Sequence, residues 1–381
     1  MLRALPIISL LTLTSPVHAE QTPLQLDDGW AVNSLESAGL DRRAMDALTD
    51  KLARNIHPNA HAVLIQHGDE LVYEQYFEGR DEMWGLELGR VKFTRADRHD
   101  LRSVSKSVTA LLLGIALGED PEQHLDTPIL DYFPDYADRA HTDYARITLR
   151  HVLTMTDGIH WNEMQVPYSN PKNDEIQLYY AKDPYAYVFD QGIRDEPGAR
   201  WYYSGGATML LGGVVRALSN EDFTAYAKRV LFTPLGITDV EWMGGGNWGM
   251  GVPAVASGLR LRARDLARIG SLMLNSGKWQ GKQIVPARWV EASLQRRHEL
   301  GNPDWSIGGI YGYGYQWWHG RFDGFWGDYT AIAGVGYGGQ RLFIVPQLDL
   351  AVTVFAGNYG KRDWQMPERI LSEIVAARRL P

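Results

Sequence analysis

The chain has 381 residues, 45% of them hydrophobic and 22% charged, which suits a globular protein of two lobes or of one large domain with an insertion. A net charge of −8 offers no basic face for phosphates, setting nucleic acid aside as a partner. The absence of cysteine removes disulfides, thiolate catalysis and cysteine-ligated zinc together.

Met1–Ala19 reads as a targeting leader, with Arg3 as its positive end, an apolar run over Ala4–Leu13, and Val17-His18-Ala19 as a small-residue cleavage site. Export to the periplasm or beyond, with cleavage after Ala19, is the expectation. No other apolar run is long enough to cross a bilayer, so no membrane insertion of the mature chain is expected. Asp41–Asn55 predicts a helix that opens at Asp41 and carries Met45, Leu48 and Leu52 on one stripe. Ala62–Tyr76 holds two β-rich runs around Gly68-Asp69, a hairpin signal. A helix followed by an antiparallel hairpin suggests an α+β sheet lobe. The charged stretch that follows, closed by Leu101, reads as loop.

Arg102–Leu117 is the segment around which the chemistry is organised. Ser103 and Lys106 stand three residues apart at the head of a run that is apolar at 104, 108, 111, 112 and 115. On a helix the two share a face, so the amine lies beside the hydroxyl while Val104, Val108, Leu111 and Leu112 enter a core. Burying an ammonium is costly and deprotonation relieves that cost, so the pair is a means of activating a serine. The pattern is also common by chance. A second copy, Ser169–Lys172, contains Pro171 and reads as loop.

Beyond Leu125–Pro134, the segment Ile147–Gly158 predicts a short helix capped by Thr148 and stopped near Gly158. From there to Trp201 the chain reads as a long loop-bearing insertion, a candidate binding region. Its Trp161, Tyr168, Tyr179 and Tyr180 either line an apolar pocket or pack the lobe. Pro197–Gly206 leads into an apolar helix over Ala207–Val215 and places Tyr203 ahead of a glycine pair, where its phenol can face a cleft. Beside a lysine ammonium a phenolate gains stability and the phenol can shuttle a proton. Taken alone, one tyrosine among 19 is an ordinary core or surface aromatic.

Helices follow at Ala263–Leu274 and Ala287–Ser293, then strands at Tyr311–Trp318 and Asp328–Ala333. Gly334, Gly336 and Gly339 fit G-x-G-x-x-G, but they precede a strand, whereas a dinucleotide motif follows a strand and opens a helix. A glycine-rich edge strand serves instead to let a backbone N–H approach a ligand. Leu350–Ala356 reads as a strand and Met366–Arg379 as a closing helix.

Together, Ser103-Val104-Ser105-Lys106, Tyr203-Ser204-Gly205 and the glycine-rich strand resemble the serine hydrolases related to class C β-lactamases and DD-peptidases. The resemblance extends to Leu125-Asp126-Thr127-Pro128, Thr148–Gly158, Pro197-Gly198-x-x-Trp201 and Ala263–Arg268, and within the group it is nearest to 6-aminohexanoate-dimer hydrolases and β-lactamase-like esterases. It implies an α+β fold: an antiparallel sheet flanked by helices, with residues 20–100 and 256–381 in a discontinuous α/β lobe and 101–255 in a mostly helical lobe. It also implies Ser103 as nucleophile, Lys106 as its proton acceptor and Tyr203 as the acid–base serving the leaving group. The oxyanion hole would use the N–H groups of Ser103 and Tyr337, with Gly334, Gly336 and Gly338 on the substrate-binding strand, and neither metal nor cofactor takes part.

Two departures stand out. Gly205 replaces the asparagine that ends the class C tyrosine motif, and Gly334-Val335-Gly336 replaces Lys-Thr-Gly, both against efficient β-lactam hydrolysis. The expectation is a serine hydrolase that cleaves a small ester or amide through an acyl-enzyme. The alternatives are a periplasmic DD-peptidase or weak β-lactamase, and a non-catalytic binding protein on the same scaffold. Substrate choice is expected to rest on the loop between Asp157 and Arg200 and on Trp305–Tyr329.

Overall fold

The computed structural model describes residues 22–244, 251–300, 310–324, 327–360 and 363–378. Met1–Ala19, expected to be a leader, lies outside them, as does part of Trp305–Tyr329. Sixteen strands are described: β1 (Ala31–Val32), β2 (Ala60–His67), β3 (Glu70–Tyr76), β4 (Glu78–Met83), β5 (Leu86–Lys92), β6 (Arg98–Asp100), β7 (Glu241–Trp242), β8 (Leu259–Arg262), β9 (Lys278–Trp279), β10 (Lys282–Gln283), β11 (His298–Glu299), β12 (Ile310–Tyr313), β13 (Trp318–Gly324), β14 (Gly327–Gly336), β15 (Gln340–Val345) and β16 (Leu350–Ala356). The helices are α1 (Arg42–Ala53), α2 (Val104–Leu117), α3 (Glu122–Leu125), α4 (Leu149–Leu153), α5 (Asp174–Tyr180), α6 (Pro184–Phe189), α7 (Gly205–Ser219), α8 (Phe223–Ala227), α9 (Ala263–Leu274), α10 (Ala287–Ser293) and α11 (Met366–Ala376).

Nine strands form the central sheet in the order β1-β3-β2-β16-β15-β14-β13-β12-β11, antiparallel except where β1 lies parallel to β3. The pairing of β16 with β2, in which Val352 faces Ile65, joins the two ends of the chain. Alternation along these strands divides the core in two. Leu64, Leu342, Ile344 and Ala351 pack with α2 and α9, while Val63, Ile65, Phe343, Val352 and Val354 pack with Met45 and Leu48 of α1 and Ile370 and Leu371 of α11. With both faces covered, β2, β15 and β16 are buried almost throughout. Asp41 caps α1 by accepting the Ala44 N–H at 3.0 Å, as its position ahead of the stripe predicts.

Several local expectations are corrected. The charged stretch before Leu101 is not all loop: β4 and β5 form a hairpin whose two-residue turn, Trp84-Gly85, has positive φ at both positions (51° and 82°). Tyr311–Trp318 is not one strand, because Gln316 takes φ 62° and turns β12 back into β13. That conformation lets the Gln316 amide accept from Thr208 Oγ1 at 2.7 Å and donate to the Leu153 carbonyl at 2.9 Å, a tertiary demand that overrides strand propensity. Helix α4 stops before Gly158, since Met155 is already left-handed at φ 57°. Two helices, α5 and α6, interrupt the insertion expected to be loop. The glycine-rich strand is no edge: β14 lies between β13 and β15, with Gly334 and Gly336 paired to β15 and Gly338 and Gly339 in the turn between them.

Candidate active site

Helix α2 begins at the residue after Ser103, and its hydroxyl-bearing residues are staples. Ser105 Oγ donates to the Arg102 carbonyl at 2.6 Å and accepts the Leu259 N–H at 3.1 Å; Ser107 Oγ donates to Gln316 O at 2.7 Å, and Thr109 Oγ1 to Val255 O at 2.8 Å. These bonds fix the first turn of the helix against β8 and the turn after β12. Arg102, at φ 49°, makes the left-handed step that presents Ser103. Its guanidinium pairs with Glu82 (3.1 Å) and Asp100 (3.4 Å) between the rings of Trp84 and Tyr359.

Lys106 is 2% exposed, and its Nζ lies 3.2 Å from Ser103 Oγ and 3.1 Å from the Ala256 carbonyl. The amine also stands 4.9 Å from the centre of the Tyr203 ring, which brings that residue to the Ser103–Lys106 pair. Tyr203 is held by its neighbours: the Tyr202 N–H donates to Met155 O at 2.8 Å, Ser204 caps α7 through the Ala207 N–H at 3.0 Å, and the phenol ring stacks on Trp318. Tyr203, distant in sequence, thus joins Ser103 and Lys106. The phenolate expectation is reversed, however. Burial first, and the Glu163 charge next, push the Tyr203 phenol well above its ordinary value, so it is a neutral proton donor at working pH.

The glycines of β14 make room mainly for protein. A Cβ on Gly336 would stand 2.3 Å from Leu101 O, and one on Gly334 3.1 Å from Val104 Cγ1, so the strand end lies against the turn that carries Ser103. Gly338 is beyond β14, in the turn to β15 at φ 89°, against the Tyr359 ring. Tyr337 follows Gly336 directly; its ring meets Tyr168, Tyr359 and Trp364, and its hydroxyl accepts the Gly360 N–H at 2.6 Å.

Two carboxylates that sequence reasoning missed complete the site. Glu163 accepts from the Gly205 N–H (2.7 Å), Trp161 Nε1 (2.9 Å) and the Tyr168 hydroxyl (2.8 Å). Glu175 accepts from Tyr179 and Ser257. Burial and then the Glu175 charge push the Glu163 carboxyl up to about 7, opposed by Lys106. A Cβ on Gly205 would stand 1.6 Å from Glu175 Oε2, so the glutamate fills the space that an asparagine at 205 would need. The departure at Gly205 was the available signal. Of the insertion aromatics, Trp161, Tyr168 and Tyr179 serve this pair as donors, whereas Tyr180 is 81% exposed and lines nothing.

The β-lactamase family model matches residues 45–372. The chain belongs to the β-lactamase family. This family member is similar to the 6-aminohexanoate-dimer hydrolase of Paenarthrobacter ureafaciens, with 26% identity over 309 residues that cover 76% of this chain and 71% of that one. Among solved structures it shares its fold with the D-amino acid amidase of Ochrobactrum anthropi (TM-score 0.63, 15% identity, 88% of this chain and 98% of that one). A penicillin-binding protein homologue of Caulobacter crescentus is alike to a similar degree (TM-score 0.65, 15% identity, 89% and 98%). The β-lactamase family member described here is a serine hydrolase acting on amide or ester bonds.

Proposed function

We propose that the chain is an exported esterase or amidase that cleaves a small substrate through an acyl-enzyme on Ser103, a reading supported by its similarity to a 6-aminohexanoate-dimer hydrolase. The observation that carries this reading is the 3.2 Å contact of Lys106 Nζ with Ser103 Oγ beside a protonated Tyr203. Lys106 takes the Ser103 proton while Oγ bonds to the substrate carbonyl carbon. The N–H groups of Ser103 and Tyr337 receive the developing oxyanion, a contribution of roughly 2.7–4 kcal/mol per donor by mutational precedent. Tyr203 gives its phenolic proton to the departing alkoxide or amine and recovers one from Lys106. Water then repeats the sequence on the acyl-enzyme and frees Ser103.

A fluorophosphonate probe should label Ser103 and no other serine, and p-nitrophenyl esters and short linear amides should turn over. Inertness to both panels without labelling would favour a binding protein. Durable capture of a fluorescent penicillin at Ser103 would favour the DD-peptidase reading, against which the missing Lys-Thr-Gly lysine counts.

A further inference from the structure

Upstream of the nucleophile, three strands bring His61 (β2), Asp81 (β4) and His99 (β6) together in the interior, with the two imidazoles 0% and 1% exposed. His61 Nδ1 is 2.9 Å from His99 Nε2, and Asp81 Oδ1 is 3.4 Å from His99 Nε2 and 4.0 Å from His61 Nδ1. Atoms so spaced share a centre about 2.0 Å from each, the bond length from zinc to imidazole nitrogen and carboxylate oxygen. His99 Nδ1 lies 3.1 Å from the Asp100 carbonyl. A carbonyl only accepts, so Nδ1 carries a proton and Nε2 is turned to the cluster, the outer-shell hold typical of a metal-bound imidazole.

Protons satisfy this cluster only in part. With His99 neutral, His61 must donate from Nδ1, which leaves its Nε2 bare against Gly79 and gives Asp81 Oδ1 nothing to accept. With His99 as imidazolium, its single Nε2–H serves His61 or Asp81 but not both. Asp81 Oδ1 makes no hydrogen bond, and orphaned buried acceptors are costly. A divalent cation would draw on all three lone pairs at once.

We propose that His61, Asp81 and His99 bind a divalent transition-metal cation of the zinc class, as a structural site separate from the Ser103 chemistry. An imidazole and carboxylate set without thiolate suits zinc, cobalt or nickel. The cation would pin the β4–β5 hairpin to the sheet. That hairpin carries Trp84, whose N–H donates to Asp100 Oδ2 at 2.9 Å and whose ring meets Tyr179, and Glu82, which pairs with Arg102 beside Ser103.

The test uses the full chain, stripped with a chelator and dialysed, then titrated with zinc by calorimetry and followed by thermal melting. The expected result is one zinc per chain with a raised Tm, and cobalt absorption bands of a site with nitrogen and oxygen ligands. Ser103→Ala should bind zinc as the parent does, while Asp81→Asn and His61→Gln should each bind about 100-fold more weakly or worse. Wild-type protein that takes up no stoichiometric zinc, cobalt or nickel and shows no Tm change would overturn the proposal and leave a hydrogen-bonded network. Undiminished binding by folded Asp81→Asn and His61→Gln would also overturn it, by placing the cation elsewhere. Should one variant fail to fold, the other and the wild-type titration still decide.

Discussion

The 1.6 Å approach of a Cβ on Gly205 to Glu175 Oε2 means that residue 205 and Glu175 compete for one space. Gly205→Asn should therefore destabilise the protein by about 1–3 kcal/mol through overpacking, and adding Glu175→Gly should recover part of that loss, as denaturant midpoints would show. Glu163 makes stability pH-dependent. Its carboxyl is raised to about 7 from an ordinary 4.5, so between those values the folded chain holds a proton that the unfolded chain lacks. The stability this supplies is fully present below pH 4.5 and is lost as pH rises through 7. The difference between wild type and Glu163→Gln, measured by urea unfolding, should show that slope; a pH-independent difference would refute the burial argument. For the chemistry, Ser103→Ala should abolish turnover, and Lys106→Arg, which cannot deprotonate, should lose about 10²–10⁴-fold in kcat/KM. Tyr203→Phe should lose most on substrates with poor leaving groups. Because its phenol is held well above 10, no alkaline loss of activity below pH 10 should trace to Tyr203.

At the scale of elements, α2 shows packing prevailing over propensity. Gly114 lies inside the helix, where alanine ordinarily gains about 1 kcal/mol. Here its Cβ would stand 2.1 Å from the Trp289 indole, which is fully buried and tied by its N–H to Ala110 O at 2.9 Å. Overpacking of about 1–3 kcal/mol exceeds the propensity gain, so Gly114→Ala should lower Tm, and a raised Tm would show that Trp289 yields. Elements with strong local signals were legible: α1 from Asp41 and its stripe, the β2–β3 hairpin from Gly68, and α9 from its periodicity. The β4–β5 hairpin was not, because its turn is Trp-Gly rather than Asn-Gly and its outward residues are charged on both strands. Nor was the end of α4, which Met155 decides by turning its carbonyl to the Tyr202 N–H.

Across the whole molecule, the closing helix is tied to the sheet by one buried ion pair. Arg341 of β15 and Glu368 of α11, 1% and 3% exposed, meet at 2.7 Å, and Arg341 Nη1 also donates to the Gly336 carbonyl at 3.2 Å. Removing one partner leaves a buried charge unpaired, so Arg341→Ala should cost about 3–5 kcal/mol of stability. Since Gly336 precedes Tyr337, the same change should lower kcat more than it raises KM, if the Tyr337 N–H receives the oxyanion. Unchanged kcat in a folded variant would detach that strand end from catalysis.

The contact of Ser103 with Lys106 was legible because the two share a helix face at i and i+3, whereas Tyr203, one tyrosine among 19, was joined to them only by the family resemblance. The short apolar runs of β2 and β16, buried on both faces, likewise mark inner strands of a sheet. The Ala256 carbonyl on Lys106, the Glu163–Glu175 pair and the His61–Asp81–His99 cluster carry no period. Each joins residues from separate elements, and whether such side chains converge depends on strand register and helix packing, which long-range burial sets and local sequence does not. The sequence by itself therefore determined the helix that follows Ser103 and the kind of sheet behind it. Only the tertiary structure decided which charges surround Ser103 and Lys106, because it alone determines which distant groups lose water together.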